Sequence, residues 1–251
     1  MKPTTQSHAA NSYSVLWYCW VLLLVAAMLH FGSVNAEPVG KVVSLSDPSQ
    51  LLAKKADGKI KVLNQNSVVE TGDVLESQTN TYAKIKFNDN SEITLAPNTQ
   101  FKIDQYSYNK DKPQEDRSVY TLIKGTLRSI TGSLGKRSTE RYQLNTPAAT
   151  IGIRGTKYLA RYIPKEDVSD ASDTKDKKDK SKENKCDGHH SALTVEVIGG
   201  VIHLKNTAGE QTYTAGQYGC AASNQDAPEV LTSNPGLDFS PNFNKTLQCK
   251  V

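Results

Sequence analysis

Apolar and polar residues alternate along most of the chain beyond residue 36. In Tyr82-Ala83-Lys84-Ile85-Lys86-Phe87, the apolar Ala83, Ile85 and Phe87 share one face and the two lysines share the other with Tyr82. Asn88-Asp89-Asn90-Ser91 follows, then Glu92-Ile93-Thr94-Leu95 alternates again, which predicts a half-buried hairpin with Asn90 at a left-handed position. Further short strands are predicted at Lys59–Leu63, Val74–Ser77, Phe101–Asp104, Tyr142–Asn145 and Gln211–Thr214. Three pairs of strands are predicted on either side of glycines: Val119–Ile123 with Thr126–Ile130, Thr150–Ile153 with Lys157–Tyr162, and Leu193–Ile198 with Val201–Lys205. No long helical period appears after residue 36.

Many short strands with frequent turns predict one all-β domain, a β-sandwich or a compact β-solenoid-like body. Residues 165–185, KEDVSDASDTKDKKDKSKENK, break the pattern. Seven lysines are matched by seven acids, and Val168 is the one aliphatic residue larger than Ala. Such a segment cannot bury a core, and it is expected to be a disordered charged loop within the domain. The domain is expected to span 37–226. Residues 227–251, with Pro228, Pro235 and Pro241, are expected to form an irregular tail.

Residues 1–36 read as a leader. The run from Val15 to Phe31 is apolar and is followed by Gly-Ser-Val-Asn-Ala. Ala36 with Val34 forms a signal-peptidase site, so cleavage near Ala36 is expected, giving a periplasmic or secreted protein. The other reading keeps the run as a short membrane anchor, the one route by which the chain would touch a membrane.

Composition then narrows the chemistry. The whole chain carries a formal charge of +4, too mild for a nucleic-acid partner. Both tryptophans lie in the leader, and only His189, His190 and His203 follow it. Cys186-Asp187-Gly188-His189-His190 lacks a second Cys/His cluster with metal-ligand spacing, so no metal is expected. Gly132-Ser133-Leu134-Gly135-Lys136-Arg137-Ser138 fails as a phosphate loop, with Ile130 in place of the first Gly and Arg137 in place of the magnesium-binding hydroxyl. No cofactor and no catalytic residue are expected. In an exported chain, Cys186 and Cys220 are the favoured disulfide. Cys249 remains, and spacing leaves its own pairings open.

Four blocks resemble the FecR domain, a bacterial extracytoplasmic β-rich module. Glu70-Thr71-Gly72-Asp73-Val74-Leu75-Glu76-Ser77 is similar to its "GD-x-(I/L)-x-T" turn and strand. Tyr82 to Thr99 is similar to its longer block with a "D-G-S" turn, although Asn90 stands where Gly is usual. Gly125-Thr126-Leu127-Arg128 is the third block. Thr146-Pro147-Ala148-Ala149-Thr150-Ile151-Gly152-Ile153-Arg154-Gly155-Thr156 resembles the "TP-x-A-x-x-x-x-RGT" signature. The resemblance spans Gly40 to Gly216 and marks Gly72, Asp73, Asp89, Thr146, Pro147, Arg154, Gly155 and Thr156 as signature residues of structural character.

The best-known members regulate sigma factors through a cytoplasmic segment, for which the 14 residues before the apolar run are too few. The resemblance therefore implies a non-catalytic binding or sensory module of the bacterial envelope, acting by protein contact in signalling or envelope assembly. Carbohydrate or peptidoglycan binding is the alternative, with Tyr106 and Tyr108 as its loop-borne rings, and an envelope enzyme using Cys186, His189 and His190 stands last. Arg154 reads either as an internal latch to Asp73 or Asp89, or as a contact for a ligand or partner carboxylate.

Overall fold

The clean alternation of residues 82–95 becomes a hairpin in which Ala83, Ile85 and Phe87 are buried and Lys84 and Lys86 are not. The structure, a computed structural model, describes residues 37–48, 50–55, 57–164, 186, 192–241 and 243. The leader with its cleavage site, the 165–185 segment, Asp187, His189, His190 and Cys249 lie outside the described residues. Strands are β1 (Pro38–Leu45), β2 (Leu51–Lys54), β3 (Ile60–Leu63), β4 (Val68–Glu70), β5 (Val74–Ser77), β6 (Ala83–Phe87), β7 (Glu92–Leu95) and β8 (Gln100–Ser107). They continue as β9 (Arg117–Ile130), β10 (Tyr142–Asn145), β11 (Thr150–Tyr162), β12 (Leu193–Lys205), β13 (Glu210–Thr214), β14 (Tyr218–Ala221) and β15 (Glu229–Leu231). A short helix, α1 (Ser133–Arg137), lies between β9 and β10. With 54% strand and 6% helix, the all-β expectation holds.

All the strands join one mixed sheet, ordered β15-β14-β12-β11-β10-β9-β7-β6-β1-β4. A branch β3-β2-β5-β8 meets β9, and β13 pairs with β12. The β9–β10 pair is parallel, with Tyr142 opposite Ser118.

The three glycine-split pairs of predicted strands are each one long strand. The glycines bend the chain and do not reverse it. In β9 the even positions Tyr120 and Leu122 are buried before Gly125, and the odd positions Leu127 and Ser129 after it. In β11 the parity changes from Ile151 and Ile153 to Tyr158 and Ala160, and in β12 from Val195 and Val197 to Ile202 and Leu204. A strand that shifts its buried face needs a bulge or a bend at that point. Gly200 supplies one at φ 82°, where a Cβ would stand 2.3 Å from the Gly155 carbonyl oxygen. The bend of β12 therefore nests against that of β11.

The two halves of each long strand serve different neighbours. The second half of β11 pairs with β9 and the first half of β12, while its first half pairs with β10 and the second half of β12. One apolar cluster runs from Val39 to Ala221 through both halves. Cys186 and Cys220 are joined by a disulfide with a Cα–Cα distance of 6.3 Å. The stretch after residue 227 was expected to be irregular, but it adds β15 to the sheet and then lays Leu237, 5% exposed, against the body.

Candidate functional site

The signature residues separate into two kinds, those closed into the fold and one that is left open. Asp73 is buried, and its Oδ2 accepts from Lys55 Nζ at 2.8 Å and from the Glu70 N–H at 3.0 Å. Burial works against the charge on Lys55, but Asp73 and Glu70 together hold its ammonium above the usual lysine range. Gly72, at φ 91°, makes the turn and donates its N–H to the Ile103 carbonyl.

Asp89 is 3% exposed and fully engaged. Its Oδ1 accepts from the Ser91 N–H (3.0 Å), the Ser91 hydroxyl (2.6 Å) and the Tyr106 hydroxyl (3.1 Å). Its Oδ2 accepts from the Leu134 N–H at 3.2 Å, at the first turn of α1. The Asp89 N–H donates in turn to the Tyr106 oxygen at 2.9 Å. Burial, followed by the Asp89 charge, pushes the Tyr106 phenol well above its usual range and keeps it a neutral donor. Asn90 takes the left-handed turn position at φ 63°.

These contacts settle the phosphate-loop question. A short helix does follow Gly132. Its Leu134 N–H donates to the Asp89 carboxylate and its Ser133 N–H to the Asp89 backbone carbonyl, and a Cβ on Gly132 would stand 2.3 Å from the Ser91 nitrogen. No room is left there for a phosphate. Arg137 grips Asp116 in a bidentate pair at 2.8 and 2.9 Å and lies over the Tyr108 ring at 4.9 Å. Burial opposes the Asp116 charge, but the Arg137 guanidinium and the Asn109 N–H leave its carboxyl below the usual range. Tyr106 and Tyr108 are thus both half-buried and engaged in internal contacts.

Thr146 and Pro147 form a turn in which the Thr146 hydroxyl accepts from the Ala148 and Ala149 N–H groups and donates to the Ala149 carbonyl. Thr156 fixes the β11 bend. Its hydroxyl accepts from the Arg154 N–H and donates to the Val201 carbonyl at 2.7 Å, and its own N–H donates to Thr131 Oγ1 at 2.9 Å. Gly155, at φ 59°, lets the chain turn outward there.

Arg154 is projected from this fixed bend into solvent. The latch to Asp73 or Asp89 is not made, because Lys55 holds the first carboxylate and four donors hold the second. Among the described residues the Arg154 side chain has no hydrogen-bond or ion-pair partner.

Arg154 lines a cleft of about 620 Å³ over the outer faces of β10 to β13, with Thr139 and Glu140 at its rim. Sheet register arranges the floor. Thr150 stands opposite Lys205, which stands opposite Glu210, and Gly152 stands opposite His203, which stands opposite Thr212. A Cβ on Gly152 would meet nothing within 4 Å, so the middle of the floor is a notch open to close approach by a ligand or a backbone.

The cleft offers cations at two ends, acids beside them and hydrogen-bonding groups between, a surface suited to binding. It does not hold a nucleophilic relay. Thr212 Oγ1 (2.9 Å) and Glu210 Oε1 (3.9 Å) both approach the same nitrogen of His203, Nδ1, whereas a relay needs the acid and the nucleophile on opposite ring nitrogens. The thiol reading of Cys186 falls as well, because its sulfur is bonded to that of Cys220. Sequence reasoning missed Lys55, Thr131 and the Asp116–Arg137 pair. Their partners lie 18 to 25 positions away with no local motif to join them.

Residues 73–174 match the FecR protein family. The matching segment contains the Asp89 latch, the Arg154 bend and the first wall of the cleft. No curated protein matches the chain. Two crystal structures of a candidate anti-sigma factor from Parabacteroides distasonis, at 1.65 and 2.50 Å, superpose with a TM-score of 0.41 at 8% and 9% identity. Each alignment covers 63% of this chain and 58% of that one, a likeness too slight to carry an assignment. No helix among the described residues is long and apolar enough to cross a membrane.

Proposed function

We propose that the chain is a non-catalytic, extracytoplasmic binding module of FecR type, exported to the bacterial envelope, which acts in signalling or envelope assembly by protein contact. The observation that carries the reading is Arg154. The bend that projects it is locked by Thr156 and Thr131, yet the guanidinium has no partner among the described residues. A planar fork held at the edge of a notched polar floor suits a partner carboxylate with backbone or side chain laid along β11 and β12.

The test is capture from envelope extract by the full chain and by its Arg154→Ala variant. A partner enriched by the first and lost by the second supports the reading. Equal enrichment by both removes the cleft from it.

A further inference from the structure

A second surface, sharing no residue with the cleft, lies on the outer face of β6, β7, β9 and β11. Register places Lys84, Thr94, Arg128 and Leu159 in one row across the four strands, with Thr126 and Arg161 in the next. Outward positions near the rim of such a sheet are ordinarily wet. Here Thr94 is 2% exposed and Leu159 4%. The chain's own tail runs across this face.

The tail crosses the strands and does not join them. Arg161 Nη1 and Nη2 donate to the carbonyls of Gly236 (3.0 Å) and Pro235 (2.7 Å). Phe239 lies between the Arg128 guanidinium, 5.3 Å from its ring centre, and the Tyr82 ring, edge-on at 5.6 Å. Lys84 Nζ lies 5.5 Å from the Phe243 ring centre. Aromatic residues four apart thus sit over two successive cations, with backbone carbonyls on a third. This is how an extended peptide is held by a charged sheet face.

The fit is incomplete. Among the described residues Arg128 Nε is buried without a hydrogen-bond partner, and so is the hydroxyl of Thr194, which stands opposite Arg161 in the sheet. Buried donors are normally paired, and a guanidinium most readily by a carboxylate. Burial holds the Arg161 side chain below the usual arginine range. Lys84 already faces Glu92 Oε2 at 3.8 Å, whereas over Arg128 the tail presents a ring face. Its own carboxylate, Asp238, turns to Ser240 at 3.2 Å.

We infer that the face of Lys84, Arg128 and Arg161 is a docking groove for an extended segment of another protein that carries aromatic residues and a carboxylate, and that residues 235–241 with Phe243 occupy it as an internal stand-in. A partner segment with an acid placed over Arg128 supplies the anion the tail lacks, and so displaces it.

The probe is a fluorescein-labelled peptide of residues 232–243, alongside the same peptide with Ser240→Glu. The full chain carrying Phe239→Ala and Phe243→Ala, its tail weakened, is expected to bind the first peptide at least tenfold more tightly than the unaltered chain does. The Ser240→Glu peptide should bind a further threefold or more tightly, and Arg128→Gln added to that chain should abolish this gain. A folded double variant that binds neither peptide, or binding indifferent to Arg128, overturns the inference. A second measurement uses the unaltered chain labelled with 3-fluorophenylalanine. Excess Ser240→Glu peptide should move the Phe239 and Phe243 resonances to the solvent-exposed position, and resonances that stay in place overturn the inference even if the double variant does not fold.

Discussion

Asp89 and Arg154 are both charged residues of the family signature, and both sit where the chain turns sharply. Asp89 is buried, and four donors converge on its two oxygens. Arg154 is exposed and meets none among the described residues. In the first case the charge holds the fold together, joining the β6–β7 turn to Tyr106 and α1. In the second the neighbours hold the backbone and, among the described residues, leave the charge unpaired. Satisfaction of hydrogen bonds therefore separates Asp89, closed into the fold, from Arg154, open to solvent among the described residues.

The contrast can be broken most forcefully at Asp89. Asp89→Ala strands four donors, three of them buried with it, and should cost about 4 kcal/mol in urea unfolding. A loss under about 1 kcal/mol would mean that water replaces the carboxylate and that the site is no latch. The next effect compares two glycines. Gly200→Ala drives a Cβ into the Gly155 carbonyl at a positive φ and should cost about 2–3 kcal/mol. Gly152→Ala fills only the open notch and should leave stability within about 0.5 kcal/mol while weakening partner capture.

Asp116 gives a pH test of the closed class. Its folded carboxyl titrates below the ordinary value of 3.8, so its contribution is whole above that value and is lost as pH falls through the lower folded one. Stability should decline below about pH 4 in the parent, and Arg137→Gln should flatten that decline, as followed by tryptophan-independent far-UV circular dichroism. A parallel decline in both chains would separate acid lability from this pair.

Much of the fold was legible. The hairpin at residues 82–95 and the short strands at 60–63, 74–77 and 142–145 follow from alternation alone. The three long strands were not, because a glycine that bends a strand and one that reverses it look alike locally. The parity of the apolar positions does distinguish them. Tyr120 and Leu122 against Leu127, and Ile151 and Ile153 against Tyr158, change phase as a continuing bulged strand must. At the site, Arg154 was found by its motif, but its freedom was not, since that depends on Lys55 and the Asp89 donors having taken the carboxylates first. His203 and Lys205 reach the cleft through the β11–β12 register, which no short motif encodes.

Arg154→Ala is the smallest expected effect on the fold and the most telling. Its equilibrium unfolding in urea should match the parent in midpoint and slope, with stability changed by less than about 0.5 kcal/mol. A loss above about 1.5 kcal/mol would show the guanidinium to be a latch after all, and the division between closed and open signature residues would fail.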